Sequence, residues 1–190
     1  MKLRHYVAPV LCALAIANPA SAVILTSSSG NAVTDYSAPS LVSFDLDLAT
    51  FSGAQLNFII EEGDLLAPVL NLNAIVRNLS GSGLGYFSFS LGGISFAGQG
   101  SVTPAFGTIA NVSYTSLDAG IRFGTPEFAE FHFGNPFEFN GLGNWQLDVS
   151  GLEAGDTFSI RANIPEPETL SMFLASLALF AVSARGRKKP

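Results

Sequence analysis

The chain has 190 residues, a net charge of −6 at neutral pH and a sequence pI near 4.7. Its single cysteine, Cys12, sits in the N-terminal apolar stretch, so the remainder has no disulfide, thiol nucleophile or cysteine-based metal site. Residues 23–164 carry 13 Asp and Glu against only Arg77, Arg122 and Arg161. So acidic a body is repelled by phosphate backbones and anionic membrane surfaces, which argues against nucleic acid as a partner.

Residues 1–22 have the layout of a secretory signal peptide. Lys2 and Arg4 charge its start, Val7–Ala17 is apolar, and Asn18-Pro19 breaks any helix before the small residues Ala20-Ser21-Ala22. Ala20 and Ala22 define the cleavage site and leave Val23 as the first mature residue. A lipoprotein reading fails, because Cys12 follows Val10-Leu11 inside the apolar stretch. Residues 23–163 then have the size of one domain.

Along that body, apolar residues alternate with polar ones. An opening strand and a loop occupy Val23–Ser40. From Leu41, the residues Val42, Phe44, Leu46 and Leu48 oppose Ser43, Asp45 and Asp47, the period of a half-buried strand. Ala54, Leu56, Phe58 and Ile60 repeat the pattern, and Glu61-Glu62-Gly63-Asp64 closes it as an acidic turn. Leu70, Leu72, Ala74 and Val76 form the next face. Gly81-Ser82-Gly83 reads as a hairpin turn before Tyr86–Leu91, and short strands follow at Ile94–Ala97 and Thr108–Thr115. After a turn at Asp118-Ala119-Gly120 come Ile121–Phe123, Glu127–Phe133, Phe137–Phe139 and Trp145–Val149. Phe158, Ile160, Ala162 and Ile164 end the series. About nine to eleven short strands with turn residues at intervals near ten predict an all-β, antiparallel β-sandwich, jelly-roll-like or Ig-like. Phe is the favoured core residue, because it suits a pleated surface and buries a large area.

Residues 164–190 change character. Ile164-Pro165-Glu166-Pro167-Glu168-Thr169 precedes Leu170–Ala184, which lacks any charge, Gly or Pro, and a basic cluster of Arg185, Arg187, Lys188 and Lys189 follows. As a transmembrane helix the apolar stretch would span about 22 Å, less than the roughly 30 Å hydrocarbon core. The basic cluster acts as a cytoplasmic stop, which puts the body on the other side.

Pro165-Glu166-Pro167, the apolar stretch and the basic cluster together resemble the PEP-CTERM sorting domain of Gram-negative bacteria. The resemblance covers about a seventh of the chain, and Gly186 and Pro190 are small departures from its basic end. It implies recognition by a membrane-embedded, cysteine-dependent exosortase after passage through the secretion machinery. A transient inner-membrane anchor is then removed, and the body goes to the cell surface or extracellular matrix. A structural or adhesive role in exopolysaccharide and biofilm follows from the same resemblance. The alternative for the tail is a plain anchor that stays uncut.

No catalytic constellation is expected in the body. His132 lies beside Glu130 on one strand face and reads as a surface pair. Asp45 with Asp47, and Glu130 with Glu138, have spacings a hydrolase could use, but acidic residues on solvent faces of strands serve solubility. No metal site and no cofactor are expected, with Ca²⁺ at Glu61-Glu62-Gly63-Asp64 as the one small-ligand option. Asp118 and Asp156, each close to a Gly, read as turn formers. A carbohydrate-binding module would use Trp145, Tyr86 or Tyr114 as stacking faces, but a single Trp in a Phe-dominated set reads first as core. Asn78-Leu79-Ser80 and Asn111-Val112-Ser113 match the N-glycosylation pattern.

Overall fold

The computed structural model describes residues 22–137 and 143–165. The expected signal peptide, but for Ala22, and the expected C-terminal membrane helix therefore lie outside the described residues. No helix among the described residues is long and apolar enough to cross a membrane.

Among the described residues, thirteen strands succeed one another. They are β1 (Ile24–Ser29), β2 (Ala32–Asp35), β3 (Leu41–Leu48), β4 (Ala54–Ile59), β5 (Val69–Asn78), β6 (Leu84–Gly92) and β7 (Ser95–Gly98). After these come β8 (Val102–Pro104), β9 (Thr108–Tyr114), β10 (Asp118–Glu127), β11 (Glu130–Phe133), β12 (Trp145–Asp148) and β13 (Thr157–Asn163). A 3-10 turn at Glu62–Leu66 joins β4 to β5. One sheet has the order β1-β4-β13-β6-β10-β9, and the other has β2-β3-β5-β11-β8, with β12 on β5 and β7 on β12.

The alternating residues become the two inner faces. Val42, Phe44, Leu46 and Leu48 of β3 are buried, as are Ala54, Leu56 and Phe58 of β4 and the predicted apolar faces of β5 and β13. Phenylalanines join the sheets. Phe44 meets Phe58 and Phe89 at 6.3 and 5.8 Å between ring centres, and Phe87 and Phe89 meet Phe131 and Phe133 at 5.1 and 4.9 Å. Most of these pairs are edge-to-face, each adding about 0.5–1.5 kcal/mol beyond the area it buries. The result is an all-β sandwich of two packed sheets.

Four expectations need correction. The opening strand is two strands, β1 in the first sheet and β2 in the second. They are hinged at Gly30 (φ 91°), where a Cβ would lie 2.2 Å from the Gly53 carbonyl oxygen. Polar residues fill both strands because each lies at a sheet edge. The all-antiparallel expectation fails at β3 and β5, which run parallel with Leu41 opposite Asn71 and Leu48 opposite Asn78. Between them the chain crosses to the other sheet as β4, so β3 and β5 become neighbours without a hairpin. Asp118-Ala119-Gly120 is not a turn but the start of β10, paired with both β6 and β9. Phe137 lies in a turn and is exposed, so no strand begins there, and Phe139 is outside the described residues.

β11 and β12 share one edge of β5, pairing with its residues 74–77 and 69–72 respectively. The chain between them leaves the sheet at Gly134 and rejoins at Gly143, both with positive φ. Trp145, two residues after Gly143, is fully buried. It stacks on Phe133 at 4.4 Å, meets Phe96 at 5.5 Å, and donates from Nε1 to the Ser101 carbonyl oxygen at 3.2 Å.

Candidate functional site

The tail leaves the body from the end of β13. That strand pairs with β6 from Ser159 opposite Gly92 to Asn163 opposite Ser88. Ile164 is buried, whereas Pro165, the first residue of the sorting motif, is exposed. Both line an open groove of about 590 Å³ together with Phe51, Gly85, Tyr86 and Arg122. Glu166 and Pro167 lie outside the described residues, as do Arg185, Arg187, Lys188, Lys189 and Ala20. Ala22 is half-buried at the start of the described chain, and Val23 is packed into the core.

The candidate carboxylates do come together, but around a cation. Arg77 of β5 donates to Asp45 and, at 3.1 Å, to Asp47 on β3, and its Nε lies 3.7 Å from Glu130 on β11. The register explains this, since Asp47 and Glu130 are the two cross-strand neighbours of Arg77. Hydrogen bonds to Asp45 and then Asp47 raise the Arg77 pKa further above its usual value. With the Arg77 side chain about a third exposed, solvent screens the cluster, and each pair contributes about 1 kcal/mol at most. His132 pairs with Glu130 at 3.5 Å, as expected. Glu138 lies outside the described residues.

Asp64 does not join Glu61 and Glu62 around an ion. It is fully buried, and its carboxylate accepts from the backbone N–H groups of Ser40 (3.3 Å) and Glu61 (3.2 Å). No cluster of three metal-binding side chains occurs among the described residues. Asp156 is a turn former, accepting from the Glu153 N–H at 2.9 Å. Asp118 instead accepts from Ser90 Oγ across the sheet at 2.7 Å. Asn78 is buried and its amide donates to the Ser82 and Glu127 carbonyls, so it ties loops together and is closed to a glycan.

Of the candidate sugar-stacking residues, Trp145 is fully buried and offers no platform. Tyr114 is partly exposed but sets its ring against Trp145 at 5.9 Å. Tyr86 lies across the outer face of the first sheet, where Gly120 makes room: a Cβ there would be 2.8 Å from the Tyr86 hydroxyl.

That face carries a polar array which no motif announces. Ser90 Oγ donates to Asp118, and Asn163 Nδ2 donates to Ser90 Oγ at 2.8 Å. Arg161 donates to Gln55 Oε1 at 2.7 Å, Gln55 Nε2 to Asn57 Oδ1 at 3.1 Å, and Asn57 Nδ2 to Ser27 Oγ at 3.0 Å. These bonds span β10, β6, β13, β4 and β1. The alternation shows that polar residues face out, but only strand order makes them neighbours.

Glu127 is a second residue the pattern conceals. It is fully buried and its carboxylate accepts from the N–H groups of Phe106 (2.9 Å), Gly107 (2.8 Å) and Ala129 (2.8 Å). Burial acts to raise its pKa, but the backbone donors of Gly107, Ala129, Phe106 and Phe128 outweigh this and hold it below the usual glutamate value. It fastens the β8–β9 loop to the β10–β11 turn.

The described architecture is a β-sandwich body that ends at the root of a separate C-terminal signal. Residues 163–188 match the PEP-CTERM protein-sorting motif, so by its tail this chain is a PEP-CTERM domain-containing exosortase substrate, exported by that route. No curated protein and no solved structure matches the chain.

Proposed function

We propose that the body is a non-enzymatic structural or adhesive component of the extracellular polysaccharide matrix. The signal peptide is cut after Ala22, Leu170–Ala184 anchors the chain in the inner membrane for a time, and the exosortase removes the tail. The observation that carries this reading is the sorting motif at residues 163–188, joined to a single all-β body. The candidate carboxylates Asp45, Asp47 and Glu130 are held by Arg77 on strand surfaces, which favours adhesion over hydrolysis.

A carbohydrate-binding reading moves from Trp145 to the outer face of the first sheet. Its hydroxyl, amide and guanidinium groups suit a polyhydroxylated polymer, and Arg122 and Arg161 add affinity for sugar carboxylates. Co-sedimentation with the host's exopolysaccharide tests it. Arg161→Ala with Asn163→Ala is expected to reduce binding roughly tenfold, whereas Trp145→Phe leaves it unchanged. Equal binding by the double variant and the parent overturns the assignment.

The delivery route is tested by the intact mass of the protein recovered from the host surface and medium. A chain beginning at Val23 and ending near Pro165–Pro167 is expected. A chain that retains Leu170–Lys189 in the inner membrane makes the tail an ordinary anchor.

A further inference from the structure

The two ends of the sandwich differ in charge, and the tail leaves from the uncharged one. β13 runs from Thr157, opposite Ile59 at the end of β4, to Asn163 just before the tail. At the Thr157 end lie residues 60–68 and 149–156. They are joined by the Ile60 N–H to the Asp156 carbonyl (2.9 Å) and by the Val149 N–H to the Pro68 carbonyl (3.0 Å). They hold Glu61, Glu62, Asp64, Glu153 and Asp156 with no basic residue, and of these acids only Asp64 is buried.

At the tail end five strand connections meet: residues 30–31, 49–53, 79–83, 105–107 and 128–129. Asn31 donates to the Thr50 and Ser52 carbonyls, and Asn78 to those of Ser82 and Glu127. Gly83 sits against Phe128, and it shares the groove with Pro165. None of the five connections contains Asp, Glu, Lys or Arg. At the adjoining strand ends Glu127 is buried, while Asp47 and Glu130 are engaged by Arg77. Leu79, Phe106 and Phe128 of these connections are nevertheless 60, 78 and 60% exposed. Leu66 is also exposed, but it stands among the carboxylates of the other end.

The tail fixes which way this end faces. From Pro165 to the start of the apolar stretch at Leu170 the backbone reaches at most about 18 Å. The headgroup layer takes about 5–8 Å of that. A body anchored by Leu170–Ala184 therefore turns its uncharged end to the bilayer and its acidic end away. Aromatic side chains suit the membrane interface, whereas carboxylates are repelled by anionic lipids.

We propose that the uncharged end of the sandwich is a membrane-contact face, which seats Leu79, Phe106 and Phe128 in the headgroup layer. The face stands on the exposed side chains and the charge division; its orientation rests on the reading of Leu170–Ala184 as an anchor. Pro165, the first residue of the sorting motif, is then held at the bilayer surface, within reach of a membrane-embedded enzyme.

The test reconstitutes residues 23–190 into vesicles of phosphatidylethanolamine and phosphatidylglycerol. This chain contains no cysteine, so Leu79→Cys, Phe106→Cys, Phe128→Cys and, at the far end, Glu153→Cys each take one nitroxide label. Collision with a water-soluble nickel complex is expected to be roughly three- to tenfold lower at the first three positions than at 153, because the interface excludes the complex. Phe106→Ser with Phe128→Ser removes two apolar contacts and is expected to reopen the label at 79 roughly two- to fivefold. Far-UV melting curves check that this variant folds, and a label at 79 equally shielded in it overturns the role of the two rings. Four labels equally open on a chain that resists alkaline carbonate overturn the contact face and leave the anchor standing. Shielded labels on a chain that carbonate releases sink the anchor reading and leave the contact. A chain that does not float with the vesicles in a density gradient sinks both. Shielding that appears only when the exosortase is also in the vesicles assigns the face to that enzyme and overturns lipid contact.

Discussion

Trp145→Ala is expected to cost about 3–5 kcal/mol of folding stability, the usual range for deleting a large buried aromatic side chain. The ring is fully buried, stacks on Phe133 with an interplanar angle of 7°, and is closed in by Phe96 and Tyr114. Its removal opens a cavity beside Phe133 and Phe96, and it takes the Nε1 donor from the Ser101 carbonyl. Gly100 lies close against the residue, where a Cβ would come within 2.5 Å of the indole Cδ1 and 2.6 Å of the Trp145 nitrogen. Urea unfolding followed by far-UV circular dichroism measures the loss; fluorescence cannot, since this is the only tryptophan. A cost below about 1 kcal/mol would contradict the burial and reopen Trp145 as a surface group.

Glu127→Gln is expected to cost about 2–4 kcal/mol at neutral pH. One carboxylate oxygen receives both the Phe106 and Gly107 N–H groups, and the other receives that of Ala129. Charge-assisted bonds of this kind are roughly twice as strong as neutral ones, and the amide turns an NH₂ toward at least one of these donors. The pH dependence has a definite sign. Because the folded pKa lies below the ordinary 4.5, the contribution is fully present above that value and is lost as pH falls through the folded pKa. The stability gap between the parent and Glu127→Gln should therefore be widest near neutrality and close in acid. Thermal melts of both proteins across that range check it, and a gap independent of pH would mean the carboxylate charge is not what holds the loops.

These expectations also mark where the sequence was legible. The period-two faces of β3, β4, β5 and β13 could be read directly, because a buried side chain must alternate with a solvated one wherever a strand has one wet face. The buried polar residues were not legible. Asp64, Asn78 and Glu127 resemble surface residues in any window, and each is buried because its side chain satisfies backbone groups from loops distant in the sequence. The Arg77 cluster falls between these cases. The spacing of Asp45 and Asp47 was visible, but the cation between them and Glu130 arrives only through the pairing of β3, β5 and β11.

By itself the sequence determined the all-β class, most of the core residues and the sorting tail, since alternation is local and the motif is contiguous. Tertiary structure decided strand direction, the polar array across five strands and the groove at the root of the tail. Alternation says which way a side chain points but not which strand lies beside it. The parallel pairing of β3 with β5 and the register of β13 on β6 are set by how two sheets close over one shared core.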